Sequence, residues 1–265
     1  MDQMEKNNLF TNHQHGFRKG RSCSTQLIEV LEDWTEKIDN YNYIDTIYLD
    51  FQEAFYTVPH IRLLNKLEGY IITGKILGWI KNFLTDCKQK VVLNGSHSDW
   101  TEVTSGIPQG SVLVPILFTI YINDLPDVVY NMAKIFEDDT KSYAIVNNDE
   151  ERASLQNDID RLVQWSKDWL LRFNTSKCKH VHFGPETNAT YKMEEKNITK
   201  SDEEKDLVII IGGKLKFQQH INLQTKKANQ RLGMIKRSFS NMDKEMFLPL
   251  YKSVVRPHLE YGSKI

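Results

Sequence analysis

The sequence predicts an α/β fold of the α+β kind, with helices packed on a mixed sheet. Three observations carry this prediction. Short apolar strands and amphipathic helices interleave along the 265 residues. Two pairs of strands flank tight turn signals, one containing Asn94-Gly95 and one at Glu137–Thr140, so neighbouring strands run antiparallel. No GxGxxG or Walker loop opens a βαβ unit, which argues against a doubly wound parallel sheet.

The elements follow in order. Residues 24–38 place Leu27, Val30, Leu31, Trp34 and Ile38 on one helical face. Ile44–Asp50 is a buried strand that ends on an aspartate. Pro59 suits the first turn of a helix whose apolar face is Leu63, Leu64 and Leu67, before Gly69. Residues 75–86 repeat that pattern with Ile76, Trp79, Ile80 and Phe83. The pieces KQKVVL and DWTEVT form the first hairpin. A loop at 105–111 leads into a helix that runs through Leu125. The second hairpin pairs 133–136 with 141–146 across the turn. Asn148 and Glu151 make a capping-box-like start for a long helix, with Leu155, Ile159, Leu162, Trp165, Trp169 and Phe173 at helical spacing. Residues 178–183 and 206–211 are further strands, Gly212-Gly213 is a turn, and 220–240 and 243–256 are basic helices.

Composition narrows the class. The chain is 40% hydrophobic and 26% charged, which excludes wholesale disorder. Cys23, Cys87 and Cys178 lie far apart, so neither a disulfide framework, a disulfide-linked partner nor a zinc ribbon is expected. Three such thiols fit a reducing, intracellular compartment. The polar start lacks the apolar core of a signal peptide, and the longest near-apolar run, 112–122, is too short to span a membrane. The net charge of −1 hides an asymmetry: residues 207–265 carry 11 Lys and Arg against three Asp and Glu. A basic end on an acidic body suits a polyanion, although a solvated lysine-rich helix gives the same count.

Three aspartates stand out. Asp50 closes an apolar strand, and Asp138 and Asp139 sit at the tip of the second hairpin. Adjacent carboxylates repel unless a cation or hydrogen bonds compensate. With that turn beside the end of the Asp50 strand, three hard oxygen donors converge, a donor set suited to magnesium. Two such ions about 4 Å apart serve phosphoryl transfer. Taken alone, an Asp-Asp pair is ordinary turn composition.

Four ordered blocks, QHGFRKGRS (14–22), YLDFQEAF (48–55), SGIPQGSVLVPILF (105–118) and FEDDTK (136–141), resemble the reverse transcriptases of non-LTR, LINE-type, jockey-like retrotransposons. The similarity continues through FNTSKCK, KDLVIIIGGKLKF, KKANQRLGMIKRSF and LPLYKSVVRPHLEYG. It implies a right-hand polymerase: partial fingers over 1–40, a palm-containing core with a mixed or antiparallel sheet over 41–217, and the start of a helical thumb over 218–265. It implies templated transfer onto a primer 3′-hydroxyl, with an RNA template, a DNA primer and dNTPs as partners. Two Mg²⁺ ions are expected, with Mn²⁺ as a substitute. By the match Asp50 and Asp138 are the principal ligands, Asp139 supports them, and the Phe51 carbonyl completes a shell. Phe55 takes the place of an aromatic that excludes a ribose 2′-hydroxyl. Pro108, Gln109 and Gly110 match the loop that touches nucleotide and template.

Arg18, Lys19 and Arg21 match a segment that meets phosphate, and Lys177 or Lys179 stands near the leaving pyrophosphate. Lys226, Lys227, Arg231, Lys236 and Arg237 are the expected duplex contacts. The chain departs from the family pattern at Tyr56, Val114, Glu137 and Val208. Against that pattern it starts at the QHGF block, without upstream fingers or an endonuclease domain, and stops within the thumb, as a truncated remnant would. The resemblance also implies nuclear localisation. It leaves the oligomeric state open, and it leaves two functions in competition: a polymerase, and a nucleic-acid-binding remnant without catalysis.

Overall fold

A computed structural model of the protein describes residues 4, 5, 7, 9–108, 110–239, 241–263 and 265. Helix α1 (Cys23–Asp39) starts where Ser22 and Thr25 cap each other: Thr25 N donates to Ser22 Oγ and Ser22 N to Thr25 Oγ1. The strand β1 (Ile44–Leu49) follows and becomes the middle of the sheet. Three helices then form: α2 (Ala54–Thr57), α3 (His60–Gly69) and α4 (Gly74–Leu84). Pro59 is the N-cap of α3, one position before the first turn.

The Asn94-Gly95 hairpin forms as expected. Its outer rungs are β2 (Lys88–Gln89) with β5 (Thr101–Glu102), and its inner rungs are β3 (Val92–Leu93) with β4 (Ser96–His97). The helix after the 105–111 loop, α5 (Leu113–Tyr121), ends earlier than the sequence pattern suggests. Residues 125–128 form a separate 3₁₀ turn with Pro126 at its start.

Strands β6 (Met132–Phe136) and β7 (Asp139–Ile145) make the second hairpin. Helix α6 (Asp149–Trp169) starts at Asn148, whose side chain accepts from Glu151 N; the Glu151 carboxylate in return accepts from Asn147 N, not from the cap itself. Next come β8 (Lys179–Phe183), β9 (Lys192–Met193), β10 (Lys196–Asn197), β11 (Thr199–Lys200), β12 (Glu203–Asp206) and β13 (Ile209–Gly212). The expected single strand over 206–211 is therefore corrected. The chain reverses at Leu207-Val208, both at positive φ (45° and 78°), and β12 pairs antiparallel with β13. An apolar run is equally compatible with a strand and with a tight hairpin whose turn is apolar.

The sheet order is β11-β8-β1-β7-β6, antiparallel except for the β11–β8 pair. Alternation along β1 gives it two buried faces. Ile47 and Leu49 face α5 and α6, whose Phe118, Leu155, Ile159 and Leu162 belong to the larger core. Ile44 on the other face packs with Leu27, Val30 and Trp34 of α1, and Trp34 meets Tyr143 edge to face at 5.6 Å. Asp45 also lies on the α6 face and is fully buried.

Helix α7 (Gln218–Ser238) has its own small core with the helical run α8 (Lys244–Leu250), a π turn at Tyr251–Val255 and α9 (Arg256–Glu260): Ala228, Ile235 and Val255 are its buried centre. Among the described residues no helix is long and apolar enough to cross a membrane. Cys23, Cys87 and Cys178 are all free thiols.

Candidate active site

The register of the sheet builds the site. β1 and β7 pair from Ile44 opposite Ile145 to Leu49 opposite Thr140. One residue further at this end stand Asp50 and Asp139, so both reach the same edge. The hairpin turn is tighter than expected: Phe136 pairs with Asp139, leaving Glu137 and Asp138 as its two central residues. Asp139 thus belongs to the strand and not to the tip. Glu137 adopts φ 58°, the positive value a two-residue turn needs at its first position.

Past Leu49 the chain stays extended. Phe51 bridges to Phe173, with Gln52 N donating to Arg172 O (2.8 Å) and Asn174 N to Asp50 O (2.7 Å). Those two bonds flank a non-hydrogen-bonded pair, which turns the Phe51 carbonyl away from the Phe173 strand. The two rings stack at 4.6 Å.

Asp50, Asp139 and Lys177 line one cleft of about 140 Å³, together with Lys141 and the β12–β13 hairpin residues Glu204 and Asp206. Lys177 Nζ is 3.6 Å from Asp50 Oδ1, whereas Lys179 lies within β8 opposite Tyr48. Of the two lysines, geometry therefore puts Lys177 in the cleft. Asp50 Oδ1 is buried and accepts no hydrogen bond. Lys141 and Asp206, both buried, form an ion pair that fastens the β12–β13 hairpin to β7.

Charge repulsion is visible in the acids. Burial and the neighbouring Asp138 and Asp206 carboxylates push Asp139 up to about 6, with Lys141 opposing and Asp50 adding to the rise. Burial and the Asp50 charge also raise Asp138. Glu137 is raised by burial and by both hairpin aspartates. A buried, unsatisfied carboxylate oxygen and carboxyls held toward their neutral forms are what a divalent cation relieves. Hard oxygen donors match that class of ion. Among the described residues no three His, Cys, Asp or Glu side chains are close enough to form a ready-made ligand set. The residues fit an ion whose remaining ligands are water and phosphate oxygens, the usual arrangement for magnesium.

The other expected residues are placed as follows. Phe55 is half-buried, its ring 4.4 Å from that of Phe118. Gly110 is exposed with φ 94°, and Gln109 lies outside the described residues. The close backbone approach in this loop occurs at Gly106, where a Cβ would sit 2.6 Å from Tyr56 O. Gly106 N donates to Val58 O and Ile107 N to Phe55 O, and a His60 ring nitrogen lies 2.7 Å from Gly106 O. The SG dipeptide at 105–106 is the sequence signal for that docking.

Arg18 is held by Glu5 through two 3.1 Å bonds and by Thr11 O, and Arg21 by Asn12, while Lys19 is exposed. On α7, Lys226 and Arg237 share one open groove with Asn222, Asn229 and Gly233; Arg231 and Lys236 are exposed outside it, and Lys227 lies on the side of His220. Tyr56 is exposed and Val114 is buried in the larger core.

A five-stranded sheet with an aspartate at the end of its central strand and two more on the adjoining hairpin is a polymerase palm-type fold. Telomerase structures from Candida tropicalis share it: the apo form truncated from its C-terminal domain aligns at TM-score 0.55 and 13% identity over 81% of this chain and 42% of its own. A second, solved in complex with the TWJ fragment of telomeric RNA, aligns at TM-score 0.55 and 13% identity over 99% of this chain and 45% of its own.

The reverse transcriptase (RNA-dependent DNA polymerase) family matches residues 1–233, and the chain belongs to that family. Its relatives are RNA-directed DNA polymerases of non-LTR retrotransposons. The Drosophila melanogaster protein described as "Probable RNA-directed DNA polymerase from transposon X-element" is 29% identical over 99% of this chain and 30% of its own length. The RNA-directed DNA polymerase from mobile element jockey of the same species is 29% identical over 95% of this chain and 29% of its own. The chain thus spans about 30% of the length of these relatives. Family membership carries a general dependence on divalent metal.

Proposed function

We propose that this chain is the catalytic domain of an RNA-directed DNA polymerase that adds dNTPs to a primer 3′-hydroxyl. The observation that carries the reading is the sheet register, which sets Asp50 and Asp139 on one edge with Asp138 adjoining, over a cleft that also holds Lys177. Asp50 and Asp138 would hold magnesium, with Asp139 and the Phe51 carbonyl in support. Such an ion supplies activation of the hydroxyl and neutralisation of phosphate charge. Lys177, exposed beside Asp50, would donate a proton to the leaving pyrophosphate.

Half-buried Phe55, fixed against Phe118, would exclude the 2′-hydroxyl by bulk. Gln109 and Gly110 would meet the incoming nucleotide. Lys19 carries the most exposed charge of the first basic block; Arg18 and Arg21 would hold the shape of that block as well as meet phosphate. The division into fingers over 1–40, palm over 41–217 and thumb over 218–265 fits the separate small core of α7, whose cations would grip duplex backbone.

Primer extension on an RNA template with dNTPs tests the reading. Incorporation with magnesium that Asp138→Asn abolishes is the expected result. Absence of incorporation with magnesium and manganese across several templates overturns it. Salt-sensitive duplex binding under those same conditions would leave a nucleic-acid-binding protein in its place.

A further inference from the structure

The QHG segment lies along the outer edge of the catalytic hairpin. Gln14 bridges Ile135 in parallel, with His15 N donating to Ile135 O and Ile135 N to His13 O, both at 2.9 Å. Gln14 is fully buried, and its side chain reaches the turn. Oε1 accepts from Gly16 N (2.7 Å) and from Glu137 N (3.2 Å), and Nε2 lies 3.5 Å from Glu137 O as its donor. One amide side chain therefore addresses both backbone polar groups of the residue before Asp138. Neither group has a ladder partner, because Glu137 is a central residue of a two-residue turn.

Three further observations point the same way. Glu137 holds φ 58°, an unfavourable value for a residue with a Cβ, so contacts from outside the turn help the turn to hold it. Gly16 is fitted to the same residue: a Cβ there would lie 2.5 Å from Glu137 N and 2.8 Å from Glu137 Cγ. Gln26, also buried, donates to Ile135 O at 2.8 Å and anchors the strand that leads into the turn.

We propose that Gln14, seated by Gly16, is a positioning residue that fixes the backbone on both sides of Glu137 and thereby aims the Asp138 carboxylate. The proposal rests on the polymerase reading for its effect on rate, but not for its effect on the turn. Misplacement of a reacting group by an ångström costs as much as about 10²-fold in rate.

The experiment uses the whole chain with Gln14→Leu, Gln14→Glu and Gly16→Ala. Gln14→Leu removes both accepted bonds. Gln14→Glu is near-isosteric, keeps them, and regains the donor only when protonated. Amide hydrogen exchange is read at Glu137, and steady-state primer extension is read alongside it. Gln14→Leu and Gly16→Ala should exchange at Glu137 about tenfold or more faster, and lose kcat by about 10- to 100-fold with the dNTP KM little changed.

Measured against wild type at the same pH, Gln14→Glu should keep slow exchange and most of the activity at low pH and fall behind in both as the pH rises. Should Gln14→Leu fail to fold, Gln14→Glu and Gly16→Ala carry the test through the Glu137 exchange rate. An unchanged Glu137 amide, or an unchanged kcat in an active wild-type background, overturns the proposal. A wild type that never incorporates nucleotide sinks the polymerase reading instead, and the Glu137 exchange rate still decides whether Gln14 holds the turn.

Discussion

Lys177 Nζ stands 3.6 Å from Asp50 Oδ1, with 65% of the lysine side chain and 39% of the aspartate side chain open to solvent. With so exposed a lysine, a pair at that distance contributes about 0–1 kcal/mol, so it does little for the fold. Under the proposed function, its place in the cleft is what matters. Lys177→Met should lower single-turnover incorporation by about 10²-fold or more while leaving the melting temperature within experimental scatter. Lys179→Met, altered within a sheet strand, should leave the rate near wild type. Equal losses in the two variants would remove Lys177 from the chemistry.

Asp139 gives the site a pH signature. Its folded-state pKa is pushed up to about 6 by burial and by the neighbouring Asp138 and Asp206, against an ordinary value of 3.8. Between those values the folded state binds more protons than the unfolded one, so this group lowers stability as pH rises through the interval. Asp139→Asn should therefore melt higher than wild type at about pH 7 and match it near pH 4. Added magnesium should narrow the gap at the higher pH by neutralising the cluster. Thermal melts across pH, with and without the ion, are the measurement, and a gap independent of pH would contradict the assignment.

Under the sheet, Asp45 carries a load unrelated to the cleft. It is fully buried; its carboxylate lies 2.6 Å from His182 Nδ1 and 2.9 Å from His180 Nε2, and accepts from Tyr191 OH at 2.6 Å. Burial alone would raise its pKa, but these partners together hold it below the usual carboxylate range. Asp45→Ala strands three buried polar groups and should destabilise the protein by about 3–5 kcal/mol in urea unfolding. Because its folded pKa is depressed, the stabilisation is present above the unfolded carboxylate pKa and is lost as pH falls through the folded one.

The turn at Leu207-Val208 is improvable. Val208 holds φ 78° with 44% of its surface exposed, so little burial compensates its backbone strain. Relief of about 1–2 kcal/mol of left-handed strain, less about 0.5–1 kcal/mol of added unfolded-state entropy, leaves a net gain near 1 kcal/mol for Val208→Gly. A higher denaturant midpoint at unchanged slope is the expected result.

On α7 the groove pair should dominate phosphate contact. Each lost contact lowers the salt slope of binding by about 0.9, so Lys226→Gln with Arg237→Gln should reduce it by about two. Lys227→Gln, on the flank beside His220, should change it less. Anisotropy of a labelled RNA–DNA duplex across salt concentration reads both.

Much of this molecule was legible in one dimension. The periodicity that buries Leu27, Val30 and Trp34 also names the helix face, because a helix places every third or fourth residue together whatever it packs on. The strand ending at Asp50 and the hairpin carrying Asp138 and Asp139 follow from local alternation and turn residues. So does the basic excess that marks α7.

Three things required the fold. Register decided that Asp50 and Asp139 meet at one edge, and long-range backbone pairing sets register. The choice of Lys177 over Lys179 depended on where a loop crosses the strand ends, which spacing does not encode. The partners of buried polar groups also stayed hidden. Gln14 at the Glu137 turn, Asp206 on Lys141, and Lys66 under Trp169 with its ammonium on Asp124 each join residues more than fifty positions apart. A sequence shows that a polar residue sits among apolar ones; only the tertiary structure supplies the group that satisfies it.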